Sequence, residues 1–257
     1  MSIESKLAGI NVYYSTHITF ILETVISTMQ FWGYNTTSMG DGSIKAIKDR
    51  FRRDFFHPQE SKQETLTRNK LEKLNSQINQ KPETIKDHVL KMGLIYFFSL
   101  FEAFNKDYFQ EIFVFKPELM KSKERKVDLE YLLQFKNIED LHKSLSQNLI
   151  ERFGYLDIDK LAGLILKKFK IDLEINLECW SSLRESYFRR NCIVHNDGKM
   201  SEIYLKKFSL GNDRLNEELN CDIEYVWKCH YDIQSYMDFI DDSIRKKFNL
   251  KSYIDSL

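Results

Sequence analysis

The chain has 257 residues, of which only nine are Gly and three are Pro. That is under half the share of an average globular protein, which argues against turn-rich all-β folds and against collagen-like or low-complexity chains. Hydrophobic residues make up 42% and charged residues 30%, with 19 Phe and 13 Tyr, so the chain has the large side chains a folded core needs and does not read as disordered. Lys plus Arg and Asp plus Glu are both 38; without net charge there is no global field to attract nucleic acid or an anionic membrane, and any polyanion must be held by a local patch.

The four cysteines, Cys179, Cys192, Cys221 and Cys229, do not make a disulfide framework in a chain of this length and predict reduced thiols. The N-terminal stretch is interrupted by Asn11, Ser15, Thr16 and His17 and lacks the continuous apolar core of a secretion signal. The most hydrophobic run, Val89 to Phe104, contains Lys91 and Glu102 and is too short to span a bilayer comfortably. A cytoplasmic protein with no membrane association is expected.

Long segments of 3.6-residue period separated by short polar breaks predict an all-α fold. The first helix is expected over Thr16 to Trp32, ending at Gly33 and a loop through Gly40 and Gly42. Ser43 reads as the N-cap of a second helix, with Ile44, Ile47, Phe51 and Phe55 on one face and Lys45, Lys48 and Arg52 on another, closed by Pro58. Gln59 to Gln80 is polar and predicts an exposed helix or arm. A long helix follows over Glu83 to Phe113; it is apolar nearly all round between Leu94 and Phe104, the pattern of a central bundle helix. After the charged connection Lys121 to Lys126 come shorter helices over Asn137 to Phe153 and Asp157 to Phe169. Another spans Glu174 to His195 and is stopped by Asn196-Asp197-Gly198. The last, Asp222 to Phe248, carries a seam of Ile223, Val226, His230, Ile233, Met237, Ile240, Ile244 and Phe248. These elements divide the chain into an N-terminal helical extension, residues 1–81, and a helical bundle, residues 82–257.

Chemistry concentrates at the end of the Glu174 to His195 segment. Steps of three and four place Trp180, Leu183, Tyr187, Arg190 and Val194 on one stripe, so Arg190 occupies an apolar position and requires a carboxylate or a ligand anion as partner. Glu102, which interrupts the apolar stretch of the central helix, is the expected partner, as a structural counter-ion or as a site residue; Glu185 pairs naturally with Arg189 at i, i+4. Asn191 and His195 are four residues apart and share a face, and His195 lies at a helix C-terminus, where the macrodipole favours a cationic ring. A fixed cation, an amide and a titratable imidazole within little more than a turn suit a phosphate and acid/base chemistry beside it. The same Arg-x4-His spacing at Arg52 and His57 lacks the Asn and the core-facing helix and reads as a solvated basic face. His230 reads as a core histidine, and the cysteine and histidine spacings are not those of a zinc finger or ribbon, so no metal site and no cofactor are expected.

The run Arg189-Arg190-Asn191-Cys192-Ile193-Val194-His195-Asn196-Asp197-Gly198, followed by Tyr204-Leu205-Lys206-Lys207, resembles the signature of bacterial HEPN-domain proteins. The likeness extends to Ser99-Leu100-Phe101-Glu102-Ala103-Phe104 and to Trp180 through Glu185, and covers Glu83 to Phe248. The resemblance implies a HEPN-like helical bundle that pairs into a homodimer through the motif helix, and a metal-independent endoribonuclease of phage-defence, abortive-infection or toxin–antitoxin type. It implies His195 as the acid/base residue, Arg190 as the stabiliser of charge on the scissile phosphate and Asn191 as its orienting group. The chemistry favours a dimer on its own account. In-line attack by a ribose 2′-OH uses a base on one side of phosphorus and an acid or cation on the other, and two-fold symmetry supplies the second. Glu102, Arg189 and Glu185 would support the site, with Lys199, Lys206, Lys207 and Tyr204 binding RNA. An antitoxin or a defence-system protein is a possible partner. The family's regulation by modification of a Tyr two residues after the His does not fit, because Asp197 stands there. The other reading is a non-catalytic helical module that binds a nucleotide, RNA or a partner protein.

Overall fold

The computed structural model describes residues 2–37, 82–121, 127–151 and 156–251. The expected helix over 44–55, Arg52 and His57, the polar arm over 59–80 and the charged stretch 122–126 lie outside the described residues. Within them the protein is all-α, with nine α-helices: α1 Ile3–Thr37, α2 Pro82–Phe115, α3 Leu129–Leu132, α4 Ile138–Glu151, α5 Ile158–Phe169, α6 Leu173–Asn176, α7 Trp180–Asn196, α8 Glu202–Lys207 and α9 Ile223–Phe248.

Side-chain caps set several of the helix starts. Asp157 accepts from the Lys160 N–H at 2.9 Å, Asp222 from Tyr225 N–H at 2.8 Å and Ser201 from Tyr204 N–H at 3.2 Å, each satisfying an otherwise unpaired donor of the first turn. The stops use left-handed residues, Lys170 after α5, Asp197 after α7 and Asn249 after α9.

The central helix is where its composition placed it. In α2, Leu94, Phe97, Phe98, Phe101 and Phe104 are all buried, and the helix packs against α1, α4, α7 and α9. Burying each such side chain contributes about 1.5–3 kcal/mol, so α2 adds substantially to core stability. On α9 the expected seam holds at Val226, Ile233, Met237, Ile240 and Ile244, all buried. That seam also carries a buried polar knot. Arg245 Nε donates to Asp241 Oδ2 at 2.7 Å, the Tyr108 hydroxyl donates to Asp241 Oδ1 at 2.7 Å, and Arg245 also reaches the carbonyls of Lys251 and Glu4.

Three boundaries differ from expectation, the simplest being the end of α1, which runs through Gly33 to Thr37 instead of stopping at Trp32. Helix α1 starts at Ile3, not Thr16, because the polar residues that read as breaks are satisfied inside the helix: Ser15 Oγ donates to Asn11 Oδ1, and His17 Nδ1 meets the Tyr13 carbonyl at 2.7 Å. Leu7, Tyr14, Ile18, Leu22 and Val25 of α1 join the same core as α2, with Lys6 paired to Glu111 and the Tyr14 hydroxyl donating to Asp107. The segment expected as one helix over Glu174 to His195 is two. Leu177 is extended (φ −105°, ψ 105°) and buried, so the chain turns there to bring Leu177 and Trp180 both inward.

At Gly93 helix α1 lies close against α2: a Cβ there would sit 2.8 Å from Val25 Cγ2. Alanine gains about 1 kcal/mol of helix propensity over glycine, but overpacking costs about 1–3 kcal/mol. Gly93→Ala is therefore expected to lower the urea midpoint, and to raise it in a Val25→Ala background, where only the propensity gain remains.

His230 is half-buried between Thr19 of α1, whose Oγ1 meets His230 Nε2 at 3.3 Å, and the rings of Phe97 and Trp227. Burial pushes its pKa below the ordinary value of 6.5. Above that value both folded and unfolded chains hold a neutral ring. Below it the unfolded chain takes a proton that the folded one resists, so stability falls as pH falls. His230→Phe is expected to flatten the decline of the urea midpoint between pH 6.5 and 5.

Candidate functional site

Helices α2 and α7 run against each other with opposite polarity, and they bring the central acidic residue to the motif. Arg190 NH1 lies 3.6 Å from Glu102 Oε1 and donates to Asn191 Oδ1 at 3.0 Å, while its side chain is only 16% exposed. Arg190 Nε is buried and meets no acceptor among the described residues. The expected Glu102 partner is thus in place, but at a long ion-pair distance for a charge so far out of water. Beside Glu102 is a cavity of about 20 Å³ lined by Phe101, Asn105 and Tyr187 among others, room for a single water.

His195 lies in the last turn of α7 and is exposed. Val194, expected on the buried stripe, is 44% exposed: the stripe runs off the core in the last turn, and that puts the imidazole at the surface. The stop itself is as the sequence reads, with Asp197 at φ 52° and Gly198 at φ 78°. The turn has a neighbour that sequence reasoning missed. A Cβ on Gly198 would meet Lys91 Nζ at 3.3 Å, so α2 lays a lysine, paired with Asp87 at 2.6 Å, across the end of the motif helix. Lys91 and Glu102 are eleven residues apart, three turns along one face of α2, and that spacing was the available signal.

Arg189 is held away from Arg190. Its Nε donates to Glu185 Oε1 at 2.9 Å, as the i, i+4 spacing predicts; its NH1 reaches the Asn220 carbonyl, and its guanidinium lies 4.1 Å from the Tyr225 ring centroid. Glu185 also accepts from the hydroxyls of Tyr204 at 2.5 Å and Tyr225 at 2.7 Å. Burial first, and then Glu185, push both phenols well above the ordinary range. Tyr204 is therefore a buried residue tying α8 to α7, not an exposed ring on which a base can stack.

The basic residues around the motif divide in two. Lys206 is exposed and Lys199 is half-buried. Lys207 is bound to Asp159 at 2.5 Å, and the same carboxylate takes Arg184 Nε at 2.6 Å and NH2 at 3.1 Å. Asp159 is on α5, distant in sequence from the motif, so counting local charges overstates the free cations by these two. Among the described residues no three His, Cys, Asp or Glu side chains converge as a metal site would require. Burial pushes the Cys179 thiol up to about 11 and the Cys221 thiol up to about 12. Among the described residues no helix is long and apolar enough to cross a membrane. No protein-family model, curated protein or solved structure matches the chain.

Proposed function

We propose that the protein is a HEPN-type endoribonuclease that cleaves RNA without a metal ion, as a homodimer with a composite Arg190 and His195 site. The observation that carries the reading is the Arg190 guanidinium. It is mostly removed from water, loosely paired with Glu102, and has a buried Nε with no acceptor among the described residues. Such a cation retains affinity for an anion with several oxygens, and a phosphate matches its fork. The exposed imidazole of His195, one turn on, is accessible to a polymer that a closed pocket would exclude.

In this mechanism His195 accepts the ribose 2′-OH proton as the oxygen attacks phosphorus. Arg190 stabilises the charge that builds on the phosphoryl oxygens, and the opposing protomer's His195 protonates the departing 5′-oxygen. Exposed apolar residues on the outer face of α2, Met92 and Tyr96, and at the end of α7, Val194, support pairing of two copies at this end. Lys199 and Lys206 would hold flanking phosphates, so binding would weaken with salt. A role in defence or as a toxin follows from uncontrolled RNA cleavage, and a neutralising partner protein would cover the same seam. RNA incubated with the purified protein in EDTA is expected to yield fragments ending in 2′,3′-cyclic phosphate; RNA that stays intact contradicts the reading and leaves a binding module.

A further inference from the structure

Lys91 is held more tightly than an ordinary surface lysine. A Cβ on Gly198 would meet its Nζ at 3.3 Å and its Cε at 3.4 Å, and Gly198 is buried with φ at 78°. Glycine serves twice there, because a side chain would strain the left-handed turn and would also push against the lysine. The Gly198 N–H donates to the Cys192 carbonyl at 3.1 Å, and the Gly198 carbonyl accepts from the Leu219 N–H at 2.8 Å, so the backbone under the lysine is fixed on both sides. The Lys91 side chain is 25% exposed, against 66% for Lys160, which is also paired with a nearby aspartate.

Among the described residues the ammonium has one ion-pair partner, Asp87 at 2.6 Å, and that carboxylate is itself 41% exposed. A pair so open to water is worth little, so a second anion can replace Asp87. Of the contacts between α2 and the motif, Glu102 with Arg190 and Lys91 with Gly198 fall eleven residues apart on α2, about 16 Å along its axis. His195, exposed, lies between Arg190 and Gly198 in the chain. A cation thus stands at each end of the stretch that carries the imidazole, and no single phosphate reaches both.

We propose that Lys91 is a substrate-binding residue: its ammonium exchanges Asp87 for a backbone phosphate of the RNA strand, at a nucleotide beyond the scissile one. Phosphate contacts fix register. A strand anchored at Arg190 and at Lys91 is drawn past His195, so Lys91 helps to set which bond meets the imidazole. That consequence for cleavage rests on the ribonuclease reading above, whereas the contact with the phosphate does not require cleavage.

The test measures binding of a fluorescent single-stranded RNA across a range of salt, with His195→Ala as the parent so that the strand stays whole. Adding Lys91→Met is expected to weaken binding by about 5- to 10-fold near 50 mM salt and to reduce the slope of log affinity against log salt by about 0.7, the loss of one phosphate contact on a single strand. Lys91→Arg keeps the charge and is expected to keep the slope. Asp87→Asn removes the competing carboxylate and is expected to tighten binding by up to about fivefold, an effect that disappears when residue 91 is already Met. An unchanged slope in Lys91→Met, or weaker binding in Asp87→Asn, means that the lysine only closes the end of α7, and overturns the proposal. A second measurement locates the contact with RNAs in which single phosphates are replaced by neutral methylphosphonates. One position is expected to cost affinity in the parent and none in Lys91→Met; equal losses in both proteins at every position overturn the contact. Protein that shows these binding effects but, with His195 restored, leaves RNA intact supports the contact and overturns only the nuclease reading. RNA cut by the wild type, with a salt slope that Lys91→Met leaves unchanged, overturns the contact alone, and no binding of RNA at any salt overturns both.

Discussion

His195→Ala is expected to slow RNA cleavage by about 10²–10⁴-fold, the usual contribution of a general acid or base. Arg190→Ala is expected to slow it by about 10²–10³-fold, the usual contribution of one donor to a developing oxyanion. The two variants should separate in a second measurement. His195 is exposed, so its loss should leave the unfolding free energy from urea titration within about 0.5 kcal/mol of wild type. Arg190 is mostly buried beside a Glu102 that is 34% exposed, so its removal strands a partly desolvated carboxylate and costs stability as well. Arg190→Lys retains charge but not the planar fork, and should restore stability more than cleavage. Equal loss of rate and of stability in His195→Ala would mean that the imidazole is a packing residue, against its place in the structure.

The largest effect on stability is expected at the knot on α9. Asp241 and Arg245 side chains are 2% and 4% exposed, and removing Arg245 takes the cation away from a buried carboxylate that then keeps the Tyr108 hydroxyl as donor. Arg245→Ala should cost about 3–5 kcal/mol, seen as a lower urea midpoint, and Asp241→Ala less, because the guanidinium keeps the Lys251 and Glu4 carbonyls. Tyr108→Phe removes one hydrogen bond to the same carboxylate and should cost about 1–3 kcal/mol. Replacing both charged residues, as in Asp241→Leu with Arg245→Met, should recover much of the loss, because the penalty lies in the unpaired charge and not in the absence of the pair. The residues that Arg245 reaches at Glu4 and Lys251 tie the beginning of α1 to the segment after α9, so the single variants should also increase amide exchange at both places.

The sequence shows what spacing along one helix can show. The three- and four-residue steps reveal the α9 seam and the i, i+4 pair of Arg189 with Glu185, and Asn196-Asp197-Gly198 reveals the stop of α7. The Glu102 pairing with Arg190 was legible for a different reason: a lone carboxylate in an apolar helix and a lone guanidinium on an apolar stripe each need a partner, and each is the other's simplest solution. What sequence spacing does not reveal is set across the bundle. Asp159 neutralises Lys207 and Arg184 from α5, Lys91 reaches the end of α7 from α2, and Tyr204 turns inward because Glu185 has room for three donors. Asp241 and Arg245 could have been noticed as an opposite-charge i, i+4 pair beside Ile240 and Ile244, but an exposed pair has the same spacing. The start of α1 was missed because Asn11, Ser15 and His17 spend their polar groups within their own helix.

Cleavage through the 2′-OH is read from the chemistry of the fragment ends. Labelled RNA and the matching DNA would be incubated with wild-type protein and with His195→Ala in EDTA, and the fragment ends identified by mass. Wild type is expected to give 2′,3′-cyclic phosphate and 5′-hydroxyl ends from RNA, His195→Ala none above background, and DNA, which has no 2′-OH to attack, is expected to stay uncut. Equal cleavage by both proteins, fragments with 5′-phosphate ends, or DNA cut as readily as RNA would contradict it.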